Sequence, residues 1–160
     1  MPYYPKTRRA GRRRGGTSLV EFALVIPMLL SIVLGIIEFG LLERSTLVVA
    51  NAAREGARAA ALGQSTPSIR TRVINAGAPA LQTDSSGNIT NGSILMEQAA
   101  SGTSPLAYTA WPADTGSGTT QKNSVPAGNY VRITVTYNHR SLTGLFKRTV
   151  IIPAMMRREG

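Results

Sequence analysis

Residues 17–62 read TSLVEFALVIPMLLSIVLGIIEFGLLERSTLVVANAAREGARAAAL, and how this stretch is read decides the fold. Its first half is apolar: Phe22 to Ile37 carries no charge, and Leu19 to Leu42 is interrupted only by Glu21, Ser31, Glu38 and glycines. A bilayer core takes about 20 such residues as a helix, so the segment is long enough to cross one. Its second half keeps helix-forming Ala, Leu, Arg and Glu but turns polar on one face. The simplest reading is one helix, bound to a membrane at its start and wet at its end. At ~1.5 Å per residue it would be on the order of 70 Å long.

Outward from the helix, the N-terminal side is basic. The chain has 160 residues and a formal charge of +10. Lys6, Arg8, Arg9, Arg12, Arg13 and Arg14 all precede residue 17, so most of the charge is a property of this arm. Basic residues directly before an apolar span set topology by staying cytoplasmic. Nucleic-acid binding is disfavoured, because the arm has no interleaved aromatics and no reading module follows it. A cleaved secretory signal fits poorly, since its apolar region runs only about 7–15 residues. There is no cysteine, which excludes disulfides, thiolate metal ligands and thiol catalysis.

Within the apolar half, Glu21 needs explaining. Ser18-Leu19-Val20-Glu21 fits a capping box, in which serine and glutamate satisfy backbone N–H groups at a helix start. The carboxylate also suits the positive end of the helix dipole. Pro27 removes a backbone hydrogen bond and predicts a kink. Ser31 and Gly35 form a small-xxx-small pair that permits close helix approach in lipid. Farther on, Ala52, Gly56 and Ala60 make one row of small residues, and Ala53, Ala57 and Ala61 a second. Rows spaced by four share a helix face and leave room for a neighbour. That neighbour is either the protein's own sheet or another subunit.

Taken together, the basic leader, Gly16, Glu21 and an apolar helix with Pro27 resemble the processing site of type IV prepilins. The resemblance implies cleavage by a prepilin peptidase between Gly16 and Thr17, which makes Thr17 the new N-terminus. It also implies that Glu21 pairs with the free amine of a neighbouring subunit during assembly. Such a pair is physically reasonable, because opposite charges in an apolar setting attract strongly and neither is easily left alone. More narrowly, GTSLVEFALVIPMLL, GIIEFG and ANAAREGARAAA resemble the TadE-like family, the pseudopilin or minor-pilin components of tight-adherence pilus systems. Phe22 after Glu21 favours that branch over the short major pilin. The final TVIIPAMMRREG resembles the family's C-terminal strand, with Pro153 as a departure. Residues 64–129 show no family pattern. The implied partners are the prepilin peptidase, other pilin or pseudopilin subunits, the inner-membrane pilus assembly machinery and the lipid bilayer, with no nucleic acid. The implied location is the cytoplasmic membrane, crossed once, N-terminus inside and head outside. The alternative is an uncleaved signal-anchored protein with a binding head, in which Glu21 is only a cap.

The rest of the chain predicts a small head. Thr66-Pro67 reads as N-cap and first helical position of a short helix that Gly77 ends. Ser93–Gln98 and Leu106–Trp111 are strand candidates. Asp114 to Gly128, rich in Gly, Ser and Thr, reads as a mobile surface loop. Tyr130–Tyr137 alternates, with Val131, Ile133, Val135 and Tyr137 on a buried face and Tyr130, Arg132, Thr134 and Thr136 on a wet one. Lys147–Arg157 returns as a second strand, and Pro153 places it at an edge. The fold class is therefore α+β: a long N-terminal helix and a small antiparallel sheet. Its parts are a leader (1–16), a transmembrane helix (17–42), the soluble half of that helix (43–63) and an extracytoplasmic head (64–160). His139 falls in a turn, and Asp84, Glu97 and Asp114 lack metal-ligand spacing. No nucleophile elbow or phosphate loop is present. The chain reads as a non-enzyme with no cofactor.

Overall fold

The computed structural model describes residues 15–102, 104–144 and 146–160, so the arginines and lysine of the basic arm lie outside the described residues. The chain falls into two units, one ending at Phe39 and the other spanning Gly40–Gly160. A single helix, α1 (Gly15–Ala61), contributes to both. The elements after it are α2 (Thr66–Gly77), β1 (Gly92–Ala99), β2 (Tyr108–Ala110), β3 (Tyr130–Arg140) and β4 (Lys147–Arg157), with a short 3-10 turn at Gly118–Thr120. The four strands form one antiparallel sheet in the order β2-β1-β3-β4. The α+β reading holds, and β4 with Pro153 is indeed an edge strand.

The helix is unbroken, but its start differs from expectation. It is already running at Gly15, so Ser18 and Glu21 lie inside it and the first turn holds no acidic residue. A capping box requires Ser18 at the N-cap, and here it is not there. The C-terminal end is a glycine stop. Gly63 has φ +77°, its N–H donates to Ala60 O at 3.0 Å, and Gln64 N–H donates to Ala59 O at 3.1 Å. These two bonds are the Schellman pattern, in which a left-handed glycine turns the chain back onto its last carbonyls.

The second half of α1 sits in the core of the 40–160 unit. Val49, Ala52, Ala53, Ala57 and Ala60 are fully buried, together with Ile69 and Val73 of α2 and Val131, Ile133 and Val135 of β3. Both small-residue rows therefore pack inside the protein's own head. Gly56 is the closest point. A Cβ there would run into Val73 Cγ2, with Ile133 Cγ2 only 3.2 Å away. One turn earlier on α1, Ala52 faces Gly77, whose own added Cβ would lie 3.4 Å from Ala52 Cβ and 2.5 Å from Leu81 Cδ1. Residue 52 meets 77 while 56 meets 73, so the two helices run antiparallel. Gly77, which ends α2 as expected, is also a buried packing position.

Two further expectations are corrected. The N-cap of α2 is Ser65, one residue before Thr66, and its own side chain makes no capping bond. The cap comes from Asp114, whose carboxylate accepts from Thr66 N–H at 2.7 Å and Thr66 Oγ1 at 2.6 Å. An acidic group there also complements the helix dipole. The segment from Asp114 to Gly128 is docked against the helices. Asn123 and Val125 are buried, and Asn123 Nδ2 donates to Ala60 O at 3.0 Å and Gln64 O at 2.8 Å.

Replacing Gly56 with valine should cost about 1–3 kcal/mol through overpacking, measured as a lower thermal midpoint of the full chain in detergent. Gly40→Ala is the control: its Cβ would meet nothing within 4 Å, so it should be neutral or slightly stabilising. Asn123→Ala should cost about 1 kcal/mol and speed hydrogen exchange at Gly63 and Gln64 more than in β3.

Candidate functional site

The candidate site is the N-terminal part of α1, where the sequence placed Gly16, Thr17, Glu21, Phe22, Pro27, Ser31 and Gly35. α1 carries a stretch long and apolar enough to cross a membrane, and none of that stretch is buried within the protein. Leu24 is 74% exposed, and Leu19, Phe22, Met28 and Ile36 are also open. A core helix of a water-soluble domain hides such residues, because each large apolar side chain gains about 1.5–3 kcal/mol on burial. An apolar surface this continuous marks a site of contact with lipid or with other proteins.

The polar groups of this segment are disposed as follows. Gly16 is in the first turn and exposed, and Thr17 follows it in the helix. Glu21 and Phe22 are exposed on adjacent positions. Among the described residues, no ion pair forms at Glu21. Pro27 lies inside the helix, so the Ala23 carbonyl receives no amide proton from it. Ser31 Oγ donates to Pro27 O at 2.7 Å, which satisfies its hydroxyl within its own helix. At Gly35 an added Cβ would meet nothing within 4 Å. The Ser31–Gly35 pair is thus a smooth surface that the chain itself leaves uncovered, unlike Ala52, Gly56 and Ala60, which its own head fills.

This segment is also where the chain resembles other proteins. The family model described as TadE-like protein matches residues 16–58. The match begins at Gly16 and runs through Glu21, Pro27 and the Gly56 contact, so the TadE-like segment includes both the exposed apolar half and the buried small-residue rows. No curated protein and no solved structure matches the chain.

The sequence reading missed a second cluster, on the outer face of the sheet. Glu97 and Arg132 are register partners on β1 and β3, with Arg132 Nη2 2.6 Å from Glu97 Oε2. The Arg132 guanidinium also lies 3.5 Å from the centre of the Tyr108 ring, and the Tyr108 hydroxyl points to Met155 Sδ. Around this cluster Leu95, Ile151 and Met155 are exposed. The face expected to be wet is therefore a mixed apolar and charged surface. Strand alternation on β3 alone could not reveal it, because the apolar residues come from β1 and β4. His139 lies in β3, not in a turn, with Nδ1 3.2 Å from Tyr137 Oη. Among the described residues, no three of His, Asp and Glu gather as a metal site.

If the exposed half of α1 is a span, Leu30→Arg should oppose insertion by about 2.5–3.5 kcal/mol. The readout is alkaline carbonate extraction: the native chain stays in the pellet, and the variant moves toward the supernatant. Ser31→Ala should leave that partition unchanged, since the Ser31 hydroxyl is already satisfied within its own helix.

Proposed function

We propose that the chain is a pseudopilin or minor-pilin subunit of a tight-adherence pilus system and acts as a structural component without catalysis. It is made as a precursor in the cytoplasmic membrane, with the basic arm inside and the head outside. A prepilin peptidase trims it between Gly16 and Thr17. It then joins other pilin or pseudopilin subunits and the inner-membrane assembly machinery. The observation that carries this reading is the exposed apolar half of α1 lying within the TadE-like segment. Such a surface, on a helix that also anchors a folded head, is what a subunit needs both to wait in lipid and to pack beside its neighbours.

Glu21 has the central role in this reading. An ionised carboxylate inside the hydrocarbon layer is costly, about 2.5–3.5 kcal/mol on insertion scales for a mid-helix acid. A free amine at Thr17 of a neighbouring subunit offsets that cost as the two enter one apolar environment. Ser31 and Gly35 then allow close approach of the partner helix.

The uncleaved anchor remains as a second reading, favoured by one observation: α1 begins at Gly15, so the Gly16–Thr17 bond lies inside a helical turn. A peptidase must unwind that turn to reach the bond. Mass spectrometry of the protein from its native membrane separates the two readings. A mature N-terminus at Thr17, lost in Gly16→Leu, supports processing, and an intact Met1 or Pro2 terminus in a peptidase-positive cell refutes it. Glu21→Gln should leave membrane insertion and head folding unchanged but reduce pilus assembly at least tenfold, scored by surface filament yield.

A further inference from the structure

The head carries a basic cleft that the functional reading has not used. It holds about 1200 Å³ and lies wholly within the 40–160 unit. One wall is α1 from Leu41 to Val48, and another is the end of the β3–β4 hairpin. Arg44, Arg140, Lys147 and Arg148 line it, and among the described residues no carboxylate does. The nearest acids along α1, Glu38 and Glu43, are not among the lining residues. Such a concentration of positive charge needs an anion to complement it. Beside it, at the hairpin end, Leu142 and Phe146 are 72% and 70% exposed. Two large apolar side chains flanked by Arg140 and Lys147 form the arrangement in which apolar groups enter an interface while long cationic side chains reach the headgroups.

The position of the cleft along α1 identifies the occupant. The apolar stretch of this helix ends at Leu42, and the helix continues unbroken through the cleft wall. At ~1.5 Å per residue, Arg44 to Val48 lies roughly 3–9 Å past that end. The headgroup layer on each side of a bilayer is about 5–8 Å deep. The wall of the cleft therefore falls in the layer where lipid phosphates lie. We infer that the hairpin end of the head is a membrane-contact surface: Leu142 and Phe146 enter the interface, and Arg44, Arg140, Lys147 and Arg148 bind the phosphates of anionic lipid headgroups. This rests on the reading that the apolar half of α1 spans a bilayer. It adds a second point of attachment, which fixes how the head stands on the membrane before the subunit leaves it.

The test uses the full chain in lipid nanodiscs. Because the protein has no cysteine, single labels are clean: Leu142→Cys, with Leu30→Cys as the span control and Ser117→Cys as the water control, each carrying an environment-sensitive fluorophore. Lipids bearing a spin label near the headgroup or along the chain report proximity. The label at 142 should be quenched at least threefold more than the label at 117. Replacing a third of the phosphatidylcholine with phosphatidylglycerol should increase this further. The paired variant Lys147→Glu and Arg148→Glu should abolish the phosphatidylglycerol-dependent gain while leaving the circular dichroism unchanged. Quenching at 30 but not at 142 overturns this proposal and leaves the span intact. No quenching at 30 removes the span and this proposal with it. Shielding of 142 only when other pilus proteins are added assigns the surface to a protein partner and overturns the lipid assignment.

Discussion

A helix can lie against a second helix and a sheet at the same point only if it presents no side chain there, and at Gly56 α1 presents none. Val73 of α2 and Ile133 of β3 close onto that gap from two elements. The flanking alanines at 52, 53, 57 and 60 keep the rest of the contact shallow. Close backbone approach multiplies weak dispersion contacts and excludes voids too small for water. It also removes the need for bulky residues on α1, which explains an alanine-rich helix in the centre of a core. The larger side chains come from the partners: Ile69 and Val73 on α2, and Val131, Ile133 and Val135 on β3.

The last turn of the same helix binds together parts of the chain far apart in sequence. A helix leaves its final four carbonyls without intrahelical donors, and here all four are met. Leu62 N–H donates to Arg58 O, Gln64 N–H to Ala59 O, and Gly63 N–H to Ala60 O. Asn123 adds a second bond at Ala60 O. Ala61 O receives the Arg158 guanidinium at 3.0 Å and Glu159 N–H at 3.0 Å. A cation at this negative end also complements the dipole. Gly63 is needed for its positive φ of 77°, since a Cβ there would meet only the guanidinium end of the flexible Arg158 side chain. The C-terminal tail, the 115–125 segment and the helix end are thus held by one set of bonds.

What the sequence made legible follows the range of each signal. The apolar run, the alternation of Val131, Ile133 and Val135 and the edge proline at 153 are local patterns, and each corresponds to an element found close to where it was expected. Asp114 and Asn123 were not legible as caps. They sit in a Gly/Ser/Thr-rich segment whose composition matches a free loop, and their partners at Thr66 and Ala60 lie 48 and 63 positions away. No local pattern reports a carboxylate that caps a distant helix. Ser18 and Glu21 failed in the opposite sense: the local pattern of a capping box was present, but a helix beginning at Gly15 overrode it. The outer face of the sheet is open as the alternation on β3 indicated, but the exposed Leu95, Ile151 and Met155 on it come from β1 and β4, which one strand cannot report.

The two halves of α1 solve different solvent problems, and the accounting of polar groups shows where the first half remains incomplete. In hydrocarbon, every backbone and side-chain polar group needs an internal partner. Ser31 has one in Pro27 O. The Ala23 carbonyl lacks the amide proton that Pro27 cannot supply, and the Glu21 carboxylate is exposed with no ion pair among the described residues. Both are acceptors, so neither can satisfy the other, and each needs a donor in that environment. An amine at the end of a neighbouring chain is such a donor: it is small, it is charged, and cleavage would create it at the membrane depth where Glu21 lies. Under the proposed processing each subunit would carry both the Thr17 amine and Glu21, so side-by-side packing would let the amine of one helix meet the carboxylate of the next.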